Sequence, residues 1–320
     1  MFKRIFAIAA VCLLAGAGAQ AADYPSKPIR LIVPFPAGQS GDLIGRVFAE
    51  QITRRLGQSV VVENRPGAGG TLGTDVAVRS TPDGYTLVLI SNGPYAIAPG
   101  LYPKLTYHPK TDLVGVALLG TSPQVFAANP QAGFGDIKSF VEQARKKPLT
   151  FGSSGNGSTQ HLTMEYFEKT AGISLMHVPF RGSADAQTQV LGGQIPMLVD
   201  SVPASLAQIK AGRMKAIAVT SLQRSEFLPD VPTVAEQGYP GFESIGWFGL
   251  AAPAGTPQAA IDTLNGAVQA SLTDPAVTTK LANMAVTPAG KETPARFGQF
   301  LQSEIAKWGK VVKDSGATID

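Results

Sequence analysis

The chain of 320 residues has one cysteine, Cys12, and it lies in an N-terminal segment that reads as a removable leader. A chain beginning near Ala22 would have no disulfide framework, no thiolate nucleophile and no cysteine-based metal site. Histidine is scarce too: His108, His161 and His177 stand far apart and show no metal-ligand spacing. No metal and no cofactor is expected. No stretch of five or more Lys and Arg occurs, and the formal net charge is only +4, so a nucleic-acid partner has no support. Beyond the leader no apolar run is long enough to span a membrane. Strict repeats and low-complexity tracts are missing. Enzyme motifs fall short as well. Gly152-Ser153-Ser154-Gly155 is one residue short of G-x-S-x-G, and Gly67 to Gly73 lacks both the P-loop Lys-Ser/Thr and the G-x-G-x-x-G spacing.

The N-terminus carries its own pattern. Lys3 and Arg4 precede an apolar run from Ile5 to Ala15, followed by the small-x-small site Ala19-Gln20-Ala21. This is the layout of a secretory signal peptide over residues 1–21. The run is too short for an anchor, which needs roughly 20 apolar residues. Val11, just before Cys12, stands where a lipoprotein would have a small residue.

From Ile29 onward, short β-rich runs alternate with helical spacing. Ile29 to Val33, Val60 to Val62 and Tyr85 to Ile90 read as strands. Asp42 to Leu56 places Leu43, Ile44, Val47, Phe48 and Ile52 at helical spacing and stops at Gly57. The pattern returns after Pro130, with helices expected at Phe140 to Lys146, His161 to Thr170 and Ala184 to Leu191. Strands are expected at Leu149 to Gly152, Met176 to Pro179, Pro196 to Val199 and Ala216 to Val219. Continuous apolar strands between helices predict an α/β fold with a parallel sheet covered on both faces. Two such units predict two lobes. The tail is helical, and Phe297, Phe300, Leu301, Ile305, Trp308 and Val312 form one buried stripe.

Three Gly/Ser-rich loops join a strand to a helix: Pro34 to Asp42, Ser153 to Thr159, and Phe180 to Ala184. Each places free N–H groups at a helix start, where the helix dipole favours an anion. Glycine permits close approach, and Ser and Thr add donors. Ser91-Asn92-Gly93 adds a fourth small polar segment at a strand end. Any one such loop is ordinarily a cap, but several at successive strand ends fit a ligand cleft. Hydrogen bonds to a charged group contribute about 1.5–3 kcal/mol each. Four to six of them exceed the ~8 kcal/mol of a micromolar complex. The candidate ligand contacts are Phe35, Ala37, Gly38, Gln39 and Ser40, then Ser91 and Asn92, then Ser154, Gly155, Ser158, Thr159 and His161. The third loop adds Arg181, Gly182, Ser183 and Ala184. Asp42 reads as a helix cap more than a contact. Asp200 either accepts from a ligand or ties a loop, and Arg181 either pairs with a carboxylate or points to water.

These loops sit within longer matching stretches. Tyr24 to Arg30, Val33-Pro34-Phe35-Pro36-Ala37-Gly38 and Val62 to Gly70 are among them. So are Pro82 to Leu87, His177 to Ser183, Pro229 to Val234, Trp247-Phe248-Gly249-Leu250 and Pro253 to Pro257. In them the sequence resembles the Bug (Bordetella uptake gene) family, the extracytoplasmic receptors of tripartite tricarboxylate transporters. The resemblance implies a type II periplasmic-binding-protein fold, two α/β lobes joined by crossing hinge segments. Lobe 1 would comprise residues 22–124 and 248–320, with the C-terminal helices returning to it, and lobe 2 residues 125–247. It implies a periplasmic location and a small carboxylate ligand: a dicarboxylate, tricarboxylate, acidic amino acid or aromatic acid. Loop amides, hydroxyls and waters would hold that ligand, and the site would include Asp200. The implied partner is a membrane permease or a sensor kinase, and the expected state is a monomer without enzymatic activity. The rival readings are a secreted hydrolase using Ser154 or Ser158, and a sensing receptor without transport. One departure stands out. The family usually has Gly-Gly-Gly-Thr/Ser-Asp where this chain has Gly38-Gln39-Ser40-Gly41-Asp42, so Gln39 is expected to tune the pocket.

Overall fold

The structure, a computed structural model, describes residues 24–317. The expected signal peptide lies outside the described residues. Strands β1 (Ile29–Val33), β2 (Val60–Asn64) and β3 (Thr86–Ser91) alternate with helices α1 (Ser40–Leu56) and α2 (Thr71–Val78). Strand β4 (Leu113–Ala128) follows. Then come α3 (Ile137–Lys146), β5 (Thr150–Ser153), α4 (Thr159–Ala171), β6 (Met176–Pro179), α5 (Ser183–Leu191), β7 (Met197–Ser201), α6 (Val202–Lys210) and β8 (Lys215–Val219). The chain returns through β9 (Ile245–Pro253) and ends with α7 (Gln258–Leu272), α8 (Pro275–Asn283), β10 (Thr287–Pro288) and α9 (Pro294–Ser315).

The strands form one sheet in the order β2-β1-β3-β9-β4-β7-β5-β6, with β8 and β10 also on β4. The expected parallel pairs are present: β1 with β2 and β3, and β5 with β6 and β7. The sheet as a whole is mixed, which corrects the expectation of a purely parallel one. Strand β9 runs antiparallel to β3 and β4, and β4 antiparallel to β7 and β8. The cause is the crossing strand β4. Its residues Leu113–Pro123 pair with β9, and Gln124–Ala128 pair with β7. Sixteen residues at the usual strand rise reach roughly 50 Å, enough to pass from one half of the molecule into the other. Strand β9 carries the chain back.

Each half buries both sheet faces. In β1, Ile29, Leu31 and Val33 join Phe48 and Ile52 of α1 and Leu264 and Val268 of α7. Ile32 points to the opposite face and joins Val88, Ile90 and the α9 residues Phe297, Leu301 and Trp308. This two-residue alternation, apolar on both sides, is why the strands read as continuous apolar runs. The last helices thus complete the half built by the first strands. In the other half Phe126, Phe140, Phe151, Phe167 and Phe242 pack together. Helix α4 bridges the two, since Leu162 joins the cluster around Trp308 while Met164 and Phe167 join the second core. Among the described residues no helix is long and apolar enough to cross a membrane.

Helix α3 starts on a capping box. The Asp136 carboxylate accepts from the Ser139 N–H at 2.7 Å, and the Ser139 hydroxyl faces the Asp136 amide. Asp136→Ala is expected to lower unfolding free energy by about 1 kcal/mol, read from the urea midpoint at unchanged slope.

Candidate functional site

A cleft of about 950 Å3 opens between the two halves of the sheet. It is bounded by helix starts. The chain leaves β1 through Pro34 to Gly38 and enters α1 with Gln39 as N-cap, whose side chain makes no capping bond. Gly41 lies under Phe35, where any Cβ would come within 2.5 Å of the ring. Asp42 holds this turn. One of its oxygens accepts from the Gly38 N–H at 2.8 Å and from Arg46 Nε at 3.0 Å, and the other accepts from Asn64 Nδ2 at 2.8 Å. Burial alone would raise the Asp42 pKa, but Arg46, the Gly38 amide and Asn64 together hold it below the ordinary carboxylate value. Asp42 is therefore a loop anchor with its charge already matched, and the Gly38 amide is spent on it.

The second half contributes three more helix starts. Helix α4 is capped by Ser158, whose hydroxyl accepts from the His161 N–H at 3.2 Å. Helix α5 has Gly182 as N-cap, at φ 145°, with no side-chain cap. Ser201 precedes α6, which also lacks a side-chain cap. Beneath them Asp200 is fully buried. It accepts from Ser183 Oγ at 2.6 Å, Gln187 Nε2 at 2.8 Å, Ser205 Oγ at 2.8 Å and the Ser201 N–H at 2.8 Å. Burial raises its pKa, and those donors offset the rise only in part.

Most of the expected residues meet at this cleft. Phe35, Gly38, Gln39, Ser40, Ser91, Asn92, Ser154, Gly155, Ser158, Thr159, Arg181, Ser183 and Ala184 line it. Ala37, His161, Gly182 and Asp200, expected at the site, are not among the residues that line it. Ala37 is exposed. Gly182 sits at the rim, where a Cβ would fall 2.6 Å from Gln39 Nε2 reaching over from the other half. Asp200 lies a layer below, tying α5 and α6 to β7. His161 is the third residue of α4 and turns away from the cleft. Its ring stacks on His177 at 3.9 Å, and its Nδ1 accepts from the Gly157 N–H at 3.3 Å. It lines a separate space of about 360 Å3 with Glu165, His177 and Ser315 to Ala317. Asn92 does line the cleft, yet its amide is committed. Nδ2 donates to the Ile245 carbonyl and to Glu304 Oε2, both at 3.1 Å, and Oδ1 accepts from the Trp247 N–H at 3.0 Å.

The sequence reading missed several lining residues. Pro66 to Gly70 line the cleft, although they are not among the expected ligand contacts. Ser122, Gln124, Gly246, Trp247 and Phe248 come from the two crossing strands, and Gln187, Ser201 and Ala204 from the second half. Arg181 is the only charged side chain lining the cleft among the described residues. Ser154, His161 and Asp200 do not form a triad: Ser154 Oγ donates to Gln160 Oε1, and the partners of the other two are given above. A serine–histidine contact exists elsewhere, Ser153 Oγ to His177 Nε2 at 2.6 Å, with Ser153 fully buried. Burial and then His161 push the His177 pKa down to about 3, so its ring is neutral.

The family described as tripartite tricarboxylate transporter family receptor matches residues 44–317. The chain belongs to this receptor family. Protein BugT of Bordetella pertussis is 38% identical to it over 299 residues, covering 92% of this chain and 91% of that one. A solved R. palustris protein with adipate superposes with a TM-score of 0.87 at 32% identity, covering 93% of this chain and all (100%) of that one. MatC from Rhodopseudomonas palustris, with bound malate, gives 0.83 at 31% identity, covering 90% and 100%. The receptor is thus a solute-binding protein with the periplasmic-binding-protein fold.

Proposed function

We propose that this receptor is exported to the periplasm and captures a small carboxylate between lobe 1 (residues 22–124 and 248–320) and lobe 2 (residues 125–247). It then presents the unaltered ligand to a tripartite tricarboxylate-type permease. One observation carries this reading. Helix starts from both halves, three of them without a capping side chain at α1, α5 and α6, face one cleft whose only charged lining group among the described residues is Arg181. The dipoles and the guanidinium favour an anion, and the glycines let it reach the amides. Ligand contacts on both halves favour the closed arrangement by differential affinity. The adipate and malate held by the two related structures are carboxylates of this kind.

The test is thermal and chemical unfolding with a panel of dicarboxylates, tricarboxylates and aromatic acids, malate and adipate included. At a ligand concentration of 100 Kd the gain is about 2.7 kcal/mol, and the ligand recovered afterwards has its original mass. No stabilisation by any acid, or a hydrolysed product, would sink the reading. N-terminal sequencing of the exported protein is expected to begin at Ala22.

A further inference from the structure

Gln124 stands at the base of the cleft, where β4 leaves β9 and takes up β7. Just before it Ser122 and Pro123 pair with Gly246 and Ile245, while Gln124 itself pairs with Ser201. Its backbone is fixed from the second half. The Gln124 N–H donates to Thr220 Oγ1 at 2.8 Å, and its carbonyl accepts from the Thr220 N–H at 3.0 Å and hydroxyl at 3.1 Å. The side chain is in a different state. Gln124 is only 2% exposed, lines the cleft, and its Oε1 is buried with no hydrogen-bond partner among the described residues. The facing strand makes room for this amide, since a Cβ on Gly246 would lie 2.7 Å from Gln124 Nε2. A buried amide oxygen left unpaired costs about 1–3 kcal/mol. Of the residues with a buried, unpaired side-chain atom among those described, Gln124 alone lines the cleft. In the wall of a ligand cleft, the role that fits is a partner brought by the ligand, met when the amide turns its enclosed oxygen toward the cleft.

The surrounding charges narrow that partner. Arg181 and the helix starts make the cleft positive. The buried acids beside the cleft are committed elsewhere: Asp42 to Arg46, Gly38 and Asn64; Asp200 to its four donors; and Glu304 to Asn92 and two tryptophans. Asp185, next to Ala184 on α5, is exposed and does not line the cleft. An ammonium group on the ligand would be desolvated here without an anion to pair with, which is costly. A hydroxyl or carbonyl carries no such charge, and a carboxamide can donate to it or accept from it.

We propose that Gln124 is a specificity-determining residue: its carboxamide hydrogen-bonds a neutral polar substituent on the carboxylate ligand, and an amide in place of an acid at this point makes the receptor discriminate against amino acids. This rests on the carboxylate-capture reading above.

Two matched series test it by calorimetric titration: succinate, malate and aspartate, then adipate, 2-hydroxyadipate and 2-aminoadipate. For the native receptor, in at least one series, the hydroxylated acid is expected to bind at least 5-fold tighter than its parent and at least 10-fold tighter than the amino acid. Gln124→Met, close in length and shape, is expected to bring the hydroxylated acid within 2-fold of its parent. Gln124→Glu is expected to shift the amino-to-hydroxy ratio toward the amino acid by at least 10-fold, and it reads the same contact should the methionine variant fail to fold. An unchanged hydroxy-to-parent ratio in a folded Gln124→Met, no shift in Gln124→Glu, or a native preference for the amino acid overturns the proposal while leaving carboxylate capture standing. No binding of any of the six acids by the native receptor overturns both.

Discussion

Glu304→Leu is expected to cost the receptor about 3–5 kcal/mol of unfolding free energy, because it leaves buried donors without an acceptor. Glu304 is 8% exposed, and one carboxylate oxygen accepts from Trp247 Nε1 at 2.7 Å, Trp308 Nε1 at 3.0 Å and Asn92 Nδ2 at 3.1 Å. Leucine supplies no acceptor, and both indole N–H groups then stay buried and unpaired. Asn92 keeps its second acceptor, the Ile245 carbonyl, so its loss is smaller. Glu304→Gln retains an oxygen at the same point and is expected to lose about 1–2 kcal/mol, the difference between a charged and a neutral acceptor. Trp247 and Asn92 both line the cleft, so the glutamine variant should also bind ligand more weakly than its modest loss of stability suggests. Denaturant unfolding read beside ligand titration checks both parts. A leucine variant within about 1 kcal/mol of the parent would show that the indoles find other partners.

The second large effect depends on pH. Glu168 on α4 is nine-tenths buried. One of its oxygens accepts from the Leu175 N–H, and the other has no partner among the described residues. Burial, with a smaller contribution from the neighbouring Glu165, pushes its pKa up to about 8, against only partial relief from the Leu175 amide. The carboxyl is therefore protonated in the fold where an unfolded glutamate has already ionised. Its contribution to stability is fully present below the unfolded pKa of about 4.3 and is lost as pH rises through about 8. Glu168→Gln keeps an acceptor for Leu175 and does not titrate. Relative to that variant, the parent is expected to lose on the order of 3–5 kcal/mol between pH 4.5 and pH 8.5. Unfolding curves at half-unit pH steps measure the difference. Parallel pH profiles for the two proteins would place the Glu168 carboxyl in water.

The upper walls of the cleft were legible because their signals are local. A β-rich run ending at Val33, then Pro and Gly, then an amphipathic helix says where a strand edge meets a helix start, and the loops after β1, β5 and β6 are of that kind. The cleft floor is non-local. Strand β4 is interrupted by Gly115, Gly120 and Pro123, and its register shifts near both glycines, so no clean alternation marks it. The positions that make Gln124 and Asn92 part of the floor are set by partners far along the chain, Thr220 for one and Trp247 for the other. Side-chain direction was also beyond local pattern. His161 begins a helix beside a cleft loop, but three residues into a turn the side chain has rotated away, onto His177. Asp200 ends a strand at the cleft edge, and only the donors gathered around it show that it faces inward.

Trp308, seven residues from the end of α9, shares its packing with Ile32 and Val88 from the first strands. The half of the molecule that begins first is thus closed last. As the chain emerges in order, residues between β4 and β9 can settle around their own aromatic cluster early, while β1 and β3 wait with one apolar face open until the final helix arrives. Such long sequence separation slows folding and lengthens the exposure of sticky surface. Under the export proposed above, that delay is an advantage: a chain whose first half is still open is held short of a finished, untranslocatable shape.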